Sequence, residues 1–239
     1  MKNICILGSG SWGTALAIHL AKMNNKIKMW AYLQEEADII NNEKRCKFLS
    51  NVKIPENIMC TTDFEEAIKD SEMILIVTPS KAVRETLKKC KKYITNQSII
   101  ICSKGFEKET LYTLNEVVEE ELPNLKIGGL SGPSHAEEVS MEIPTALVIA
   151  SKHEDLLKDV QKTFMNENLR IYKTKDLKGT ELGGALKNII AFCAGIITGL
   201  ELGDNTFAAL LTRGLSEMAK LSVKMGGQIK TIYGLTGLR

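Results

Sequence analysis

Gly8-Ser9-Gly10-Ser11-Trp12-Gly13 follows a short apolar run at residues 2–7, opens an amphipathic segment at residues 14–23, and is followed at once by a second apolar run at residues 26–31. A GxGxxG pattern alone is weak, because glycine-rich turns are common. Between a strand and a helix, with another strand directly after, it reads as the turn of a dinucleotide-binding βαβ unit. Gly8 permits the tight turn, Gly10 lets the backbone approach a pyrophosphate, and Gly13 allows the helix to pack on the sheet. The helix N-terminus adds unpaired N–H groups and the positive end of its dipole for the anion.

The alternation continues outward from this unit. Helical segments start at Gln34 and Asp63 and cover residues 81–92, 110–122 and 154–164, while apolar runs cover 73–77, 98–102, 125–129, 145–150 and 169–172. Continuous apolar strands alternating with helices predict an α/β fold, with a doubly wound, mainly parallel Rossmann-type sheet covered on both faces. Thr62 with Glu65, Ser134 with Glu137 and Ser151 with Glu154 have the spacing of capping boxes. From residue 178 the strand pattern gives way to two long helical stretches, 179–200 and 205–225. Gly179 and Gly183, then Gly195, Gly199 and Gly203, recur every fourth residue. They form a bare stripe where another backbone could come close. The change of pattern divides the chain into a dinucleotide-binding domain over 1–177 and an all-helical substrate domain over 178–239.

Composition narrows the function classes. The chain has 239 residues, 44% of them hydrophobic, enough for a substantial core. A net charge of +2 is too small to argue for nucleic acid or an anionic membrane as partner. The six cysteines form no CxxC pair and no His-Cys cluster, so neither metal nor disulfide framework is expected, and a reducing cytoplasm is. Met1-Lys2-Asn3 runs straight into a strand, which predicts no signal peptide. Residues 182–200 are nearly long enough to span a bilayer, but Lys187 and Asn188 near the middle would cost about 3 kcal/mol or more in lipid. A buried, tightly packed helix is the expectation there.

The residues at the end of the second strand, Met29-Trp30-Ala31-Tyr32-Leu33-Gln34-Glu35, place neither the acid that would bind the ribose of NAD nor the Arg that would favour NADP. Tyr32 could stack on adenine or simply pack, and NAD versus NADP stays open. Most lysines read as solvated charges, the cluster Lys88, Lys89, Lys91 and Lys92 among them. Lys187 differs, being the only charge in nineteen apolar and glycine-rich residues. A buried ammonium must be paired, deprotonated or engaged by ligand. A salt-bridged structural lysine is one reading; a general acid/base at a carbonyl or hydroxyl is the other. Lys104, in Ser103-Lys104-Gly105, sits just past the carboxyl end of a strand, where doubly wound sheets bind ligands. The loop Ser131-Gly132-Pro133-Ser134 is similarly placed, though it could be a capped turn and no more. His19, His135 and His153 have no metal-ligand spacing, and His19 and His153 read as structural. Neither a GxSxG elbow nor a P-loop is present.

Taken in order, Gly8-Ser9-Gly10-Ser11-Trp12-Gly13-Thr14-Ala15, Ser103-Lys104-Gly105, Ser131-Gly132-Pro133-Ser134-His135-Ala136, residues 182–188, and Gly203-Asp204-Asn205-Thr206 with Thr212-Arg213-Gly214 resemble the NAD(P)-dependent glycerol-3-phosphate dehydrogenases. The resemblance implies an enzyme that interconverts dihydroxyacetone phosphate and sn-glycerol 3-phosphate, feeding glycerophospholipid synthesis. It implies that Lys187 exchanges the C2 oxygen's proton and that Lys104 holds substrate and polarises the carbonyl, with Asn188 beside it. Gly132 and Ser134 match substrate contacts; Ser11, Trp12, Lys104 and Ala136 match cofactor contacts beside Gly8, Gly10, Gly13 and Tyr32. A phosphorylated three-carbon substrate, NAD or NADP, a cytoplasmic location and a homodimer complete the expectation. Tyr32 stands where many relatives carry a basic residue. The sequence ends Gly234-Leu235-Thr236-Gly237-Leu238-Arg239, where the family's pattern continues with Gly-Asp-Leu and later an Arg-Asn pair that grips the phosphate. An incomplete helical domain with exposed apolar surface is therefore expected. Two alternatives stand beside the enzyme: an inactive dinucleotide-binding module, and a two-domain hydroxy-acid dehydrogenase, against which Lys104 and Lys187 argue.

Overall fold

A computed structural model describes residues 1–50 and 52–237; Leu238 and Arg239, in the expected chain end, lie outside the described residues. The glycine turn joins β1 (Asn3–Leu7) to α1 (Ser11–Lys22), and β2 (Lys26–Trp30), α2 (Gln34–Asp38) and β3 (Ile58–Thr61) follow. Next come α3 (Phe64–Ile68), β4 (Met73–Ile76), α4 (Val83–Cys90), β5 (Ser98–Ile101), α5 (Leu114–Glu121) and β6 (Ile127–Ser131). Then α6 (Ala136–Ser140), β7 (Thr145–Ala150), α7 (Glu154–Phe164) and β8 (Leu169–Thr174) lead to α8 (Leu177–Gly199), α9 (Gly203–Lys224) and α10 (Ile229–Ile232).

The eight strands form one sheet in the order β3-β2-β1-β4-β5-β6-β7-β8. The pairings are parallel except β6 with β7, where Leu130 faces Ile149 in antiparallel register. Alternate side chains of β1 serve opposite faces: Ile4 and Ile6 join a core with α1 and α7, while Cys5 and Leu7 join one with α4 and α5. Both faces are thus covered, which is why these strands read as unbroken apolar runs. The chain builds outward from β1 to β3, then returns to β4 on the other side of β1. That reversal opens a crevice at the strands' carboxyl ends, the place where open α/β sheets bind ligands.

Several local expectations are corrected. The strand β3 carried no clear signal: its four residues alternate, with Met59 54% exposed at the sheet edge. α5 starts at Leu114, not at 110, because the capping box belongs to Thr113 and Glu116. α3 is capped by Asp63, which accepts from the Glu66 N–H at 2.9 Å, and not by Thr62. Ser134 instead donates to the Gly132 carbonyl, and Ser151 donates to the Ile127 carbonyl at 2.6 Å. These two serines close turns after β6 and β7 rather than capping α6 and α7.

Beyond β8, Asp176 anchors the helices. Its carboxylate accepts from the Gly179 N–H, the Gln228 N–H and the Thr231 hydroxyl at 2.9, 2.8 and 2.6 Å, joining the start of α8 to α10. The glycine stripe divides in use. An added Cβ on Gly183 would lie 2.8 Å from Thr236 Oγ1, so a second chain segment does approach there, but Gly195, Gly199 and Gly203 face open space. α8 is long and apolar enough to cross a membrane by length and composition. Here its first half packs on β6, α9 and α10, and Lys187 in its middle is buried.

Candidate functional site

The glycine turn shows what each glycine does. Gly8 adopts φ +131°, and an added Cβ would meet the Val77 carbonyl at 3.0 Å. At Gly13 an added Cβ would lie 2.2 Å from the Gly8 oxygen, so only glycine lets α1 rest on the turn. Gly10 lines the crevice, and a Cβ there would meet no protein atom within 4 Å; it would project into the crevice itself. A ligand can therefore come against the bare backbone at Gly10, beside the positive end of α1.

The crevice is a cleft of about 1090 Å³. Gly8, Gly10, Ser11, Trp12 and Gly13 form its floor; Tyr32 and Phe64 lie on one side, and Lys104, Ser134 and Ala136 on another. The indole N–H of Trp12 and the hydroxyl of Thr78 are enclosed and have no hydrogen-bond partner among the described residues. Both line the cleft. A buried donor left unpaired costs about 1–3 kcal/mol, so two such groups lining one cleft fit a polar ligand. The residues present thus fit a dinucleotide. Tyr32 is 75% exposed at the cleft's edge, 6.4 Å from the ring of Trp30, which stacks on Phe64 at 4.3 Å. It is a wall residue and not a packed one.

Lys104 lies three residues past β5. Ser103 holds that turn by donating to the Thr78 carbonyl at 2.5 Å, and Gly105 leaves it with φ +127°. The loop beyond is pinned by Arg84, whose guanidinium grips Glu107 at 2.6 and 2.8 Å and reaches Glu121 at 2.9 Å. That grip holds the Glu107 carboxyl down at about 2. Lys104 itself runs alongside α8: an added Cβ on Gly184 would lie 3.7 Å from its Cγ. One turn further along α8, Lys187 is 2% exposed and donates to the Gly132 carbonyl at 2.8 Å. Gly132 holds φ +139° directly after β6, with the Ala146 oxygen 3.0 Å from where a Cβ would be.

The structure therefore draws Lys104, Gly132, Ser134 and Lys187 together at the ends of β5 and β6. Asn188 is not among them; it follows Lys187 but lies on an exposed part of α8. Gly132, Lys187 and Asn188 fall outside the lining of the large cleft, while Lys104 lines both it and a small cavity against α8. Sequence reading missed Thr78 and Pro79, although they follow β4 as Lys104 follows β5, and the strand-end rule would have found them. It also missed Glu36 on α2 and Glu181 on α8, both half-buried, a placement that no local pattern signals.

Known proteins resemble this chain in both sequence and shape. A family model described as the NAD-dependent glycerol-3-phosphate dehydrogenase N-terminus matches residues 3–157, and its C-terminus counterpart matches residues 176–238. The glycerol-3-phosphate dehydrogenases (NAD(P)+) of Bacillus velezensis and Bacillus subtilis are 47% and 45% identical to it over 243 residues. Those alignments take in 100% of this chain and 70% of each relative. The crystal structure of glycerol-3-phosphate dehydrogenase from Coxiella burnetii superposes with a TM-score of 0.95 at 39% identity, covering 99% of this chain and 73% of that one.

Proposed function

The chain belongs to the NAD-dependent glycerol-3-phosphate dehydrogenase family, and from that membership we propose that it interconverts dihydroxyacetone phosphate and sn-glycerol 3-phosphate with Lys187 and Lys104 as its working cations. A bound nicotinamide dinucleotide supplies the hydride chemistry. The protein's own part is to bind, orient and handle the proton. Gly10, Ser11, Trp12 and the α1 N-terminus hold the pyrophosphate against bare backbone. Gly8 and Gly13 keep that turn in shape, and Tyr32 and Ala136 border it. Lys104 places positive charge at the substrate oxygen, where charge develops in the reaction. Lys187 gives or takes the C2 oxygen's proton, and Gly132 and Ser134 lie beside it, with Asn188 next along the exposed face of α8.

One observation carries this reading: a lysine buried to 2% exposure is tethered to a carbonyl at the strand ends, beside the dinucleotide cleft. The Gly132 carbonyl receives the ammonium at 2.8 Å and so fixes it at the strand ends, where doubly wound sheets bind ligands. The domain division at 177/178, a homodimer and a cytoplasmic location are finer parts of the same proposal. The division rests on Asp176, which caps α8 where the sheet ends; the dimer rests on the apolar face of α8 that leaves Ile189, Phe192 and Ile196 exposed.

The test is oxidation of NADH or NADPH by the purified chain with dihydroxyacetone phosphate. Lys187→Ala should lower kcat by about 10²–10⁴, the usual worth of a positioned general acid/base, while leaving cofactor affinity within about threefold. An unchanged kcat in that variant would remove Lys187 from the mechanism. Turnover of a hydroxy acid in place of the phosphorylated triose would overturn the substrate assignment. Cofactor binding without any turnover would support the inactive-module alternative.

A further inference from the structure

The choice between the two nicotinamide dinucleotides is made at the adenosine ribose, beside the carboxyl end of the second strand of the βαβ unit. No acid stands at that strand end, but α2 supplies one. Glu36, in its first turn, reaches back to the glycine turn and accepts from Ser9 Oγ at 2.5 Å, and it lines the cleft together with Tyr32. We infer that Glu36 takes the place of the missing strand-end carboxylate, accepting the ribose hydroxyls of NAD and repelling the 2′-phosphate of NADP, so that this chain selects NADH. The inference rests on the dinucleotide reading of the cleft.

The charges on that wall agree. Trp30-Ala31-Tyr32-Leu33-Gln34-Glu35-Glu36 contains no Lys or Arg. Three cations of the following loop are engaged with carboxylates: Lys44 with Glu56 at 3.3 Å, Lys47 with Glu35 at 3.5 Å, and Arg45 with Glu43; the fourth, Lys53, does not line the cleft. Lys81 and Lys89 do line the cleft, but they follow β4, across β1 from the ribose site, and Glu85 lines the cleft with them. A 2′-phosphate adds close to two negative charges, and a carboxylate within a few Å disfavours it. Ser9 holds the Glu36 side chain where it can do so; an untethered surface glutamate would swing away.

The experiment is equilibrium titration of chain 1–239 with NADH and with NADPH, followed by quenching of Trp12 and Trp30 fluorescence without substrate. NADH should bind at least tenfold more tightly than NADPH. Glu36→Gln keeps a side-chain oxygen for Ser9 but removes the charge, and should narrow the ratio to below threefold. Leu33→Arg should raise NADPH affinity by tenfold or more. Equal or tighter binding of NADPH by the unaltered chain overturns the inference, as does a ratio unmoved by Glu36→Gln. Binding of neither nucleotide would sink the dinucleotide reading itself, and the selectivity with it.

Discussion

Glu181 shows how a residue's surroundings decide its chemistry. One carboxyl oxygen accepts from the Asn115 N–H at 3.0 Å; the other is enclosed without a partner among the described residues, as is the hydroxyl of Ser131. Both groups border a cavity of about 10 Å³ that Lys104 also lines, room for about one water. Burial pushes the Glu181 carboxyl up to about 8 from its ordinary 4.5. In the unfolded chain it ionises near 4.5, so between there and about 8 the folded state binds more protons than the unfolded one. Stability from this group is complete below 4.5 and is lost as pH rises through 8. Glu181→Gln should flatten that fall, leaving the variant relatively more stable at pH 9 than at pH 5. Urea midpoints at the two pH values measure it; a parallel shift at both would deny the titration. Lys187 was legible in sequence because its apolar company is local. Glu181 was not, because the Asn115 N–H that holds its carboxyl lies sixty-six residues earlier.

At the level of elements, the glycine turn was readable down to the role of each glycine, since turn, strand and helix are neighbours in sequence. Gly13→Ala tests the tightest of these contacts. Its Cβ would sit 2.2 Å from the Gly8 oxygen, so α1 must lift off β1. Overpacking of this kind costs about 1–3 kcal/mol, and it should also weaken dinucleotide binding by displacing the α1 N-terminus. Thermal melting with and without NADH reads both effects; a variant that melts and binds like the parent would show that the turn absorbs the methyl. What sequence did not disclose were features fixed by distant partners. β3 is short and half exposed at the sheet edge, and pairs only because Ile27 and Met29 lie opposite Ile58 and Cys60. The antiparallel entry of β7 shows only in its pairing with β6, where Leu130 faces Ile149, and no local pattern announces that direction. The Arg84 grip on Glu107, which steadies the loop carrying Lys104, spans twenty-three residues and leaves no periodic trace.

Across the whole molecule, apolar burial is unequal. The two faces of the sheet hold extensive cores, whereas the core among α8, α9 and α10 centres on Met218, Ala219 and Ile232. The far half of α8 keeps Ile189, Phe192, Ile196 and Leu200 exposed at 60, 72, 45 and 64%, a spacing of three and four residues that puts them on one face. Gly195 and Gly199 face open space on the same half of the helix. A contiguous apolar patch of this kind promotes association, and a net charge of +2 offers little repulsion to oppose it. The apparent mass in light scattering should therefore rise with protein concentration, and 1-anilinonaphthalene-8-sulfonate should bind. The double variant Phe192→Lys, Ile196→Lys should reduce both at least severalfold without shifting the melting temperature by more than about 3 °C, since neither side chain is in a core. A parent chain that stays monomeric throughout, or a variant that associates equally, would place the contact surface elsewhere. The same pair of substitutions lies about one and a half turns or more beyond Lys187, so NADH affinity in the variant separates the two ends of α8. Unchanged affinity means the exposed half is free to serve as a contact surface while the buried half serves the site.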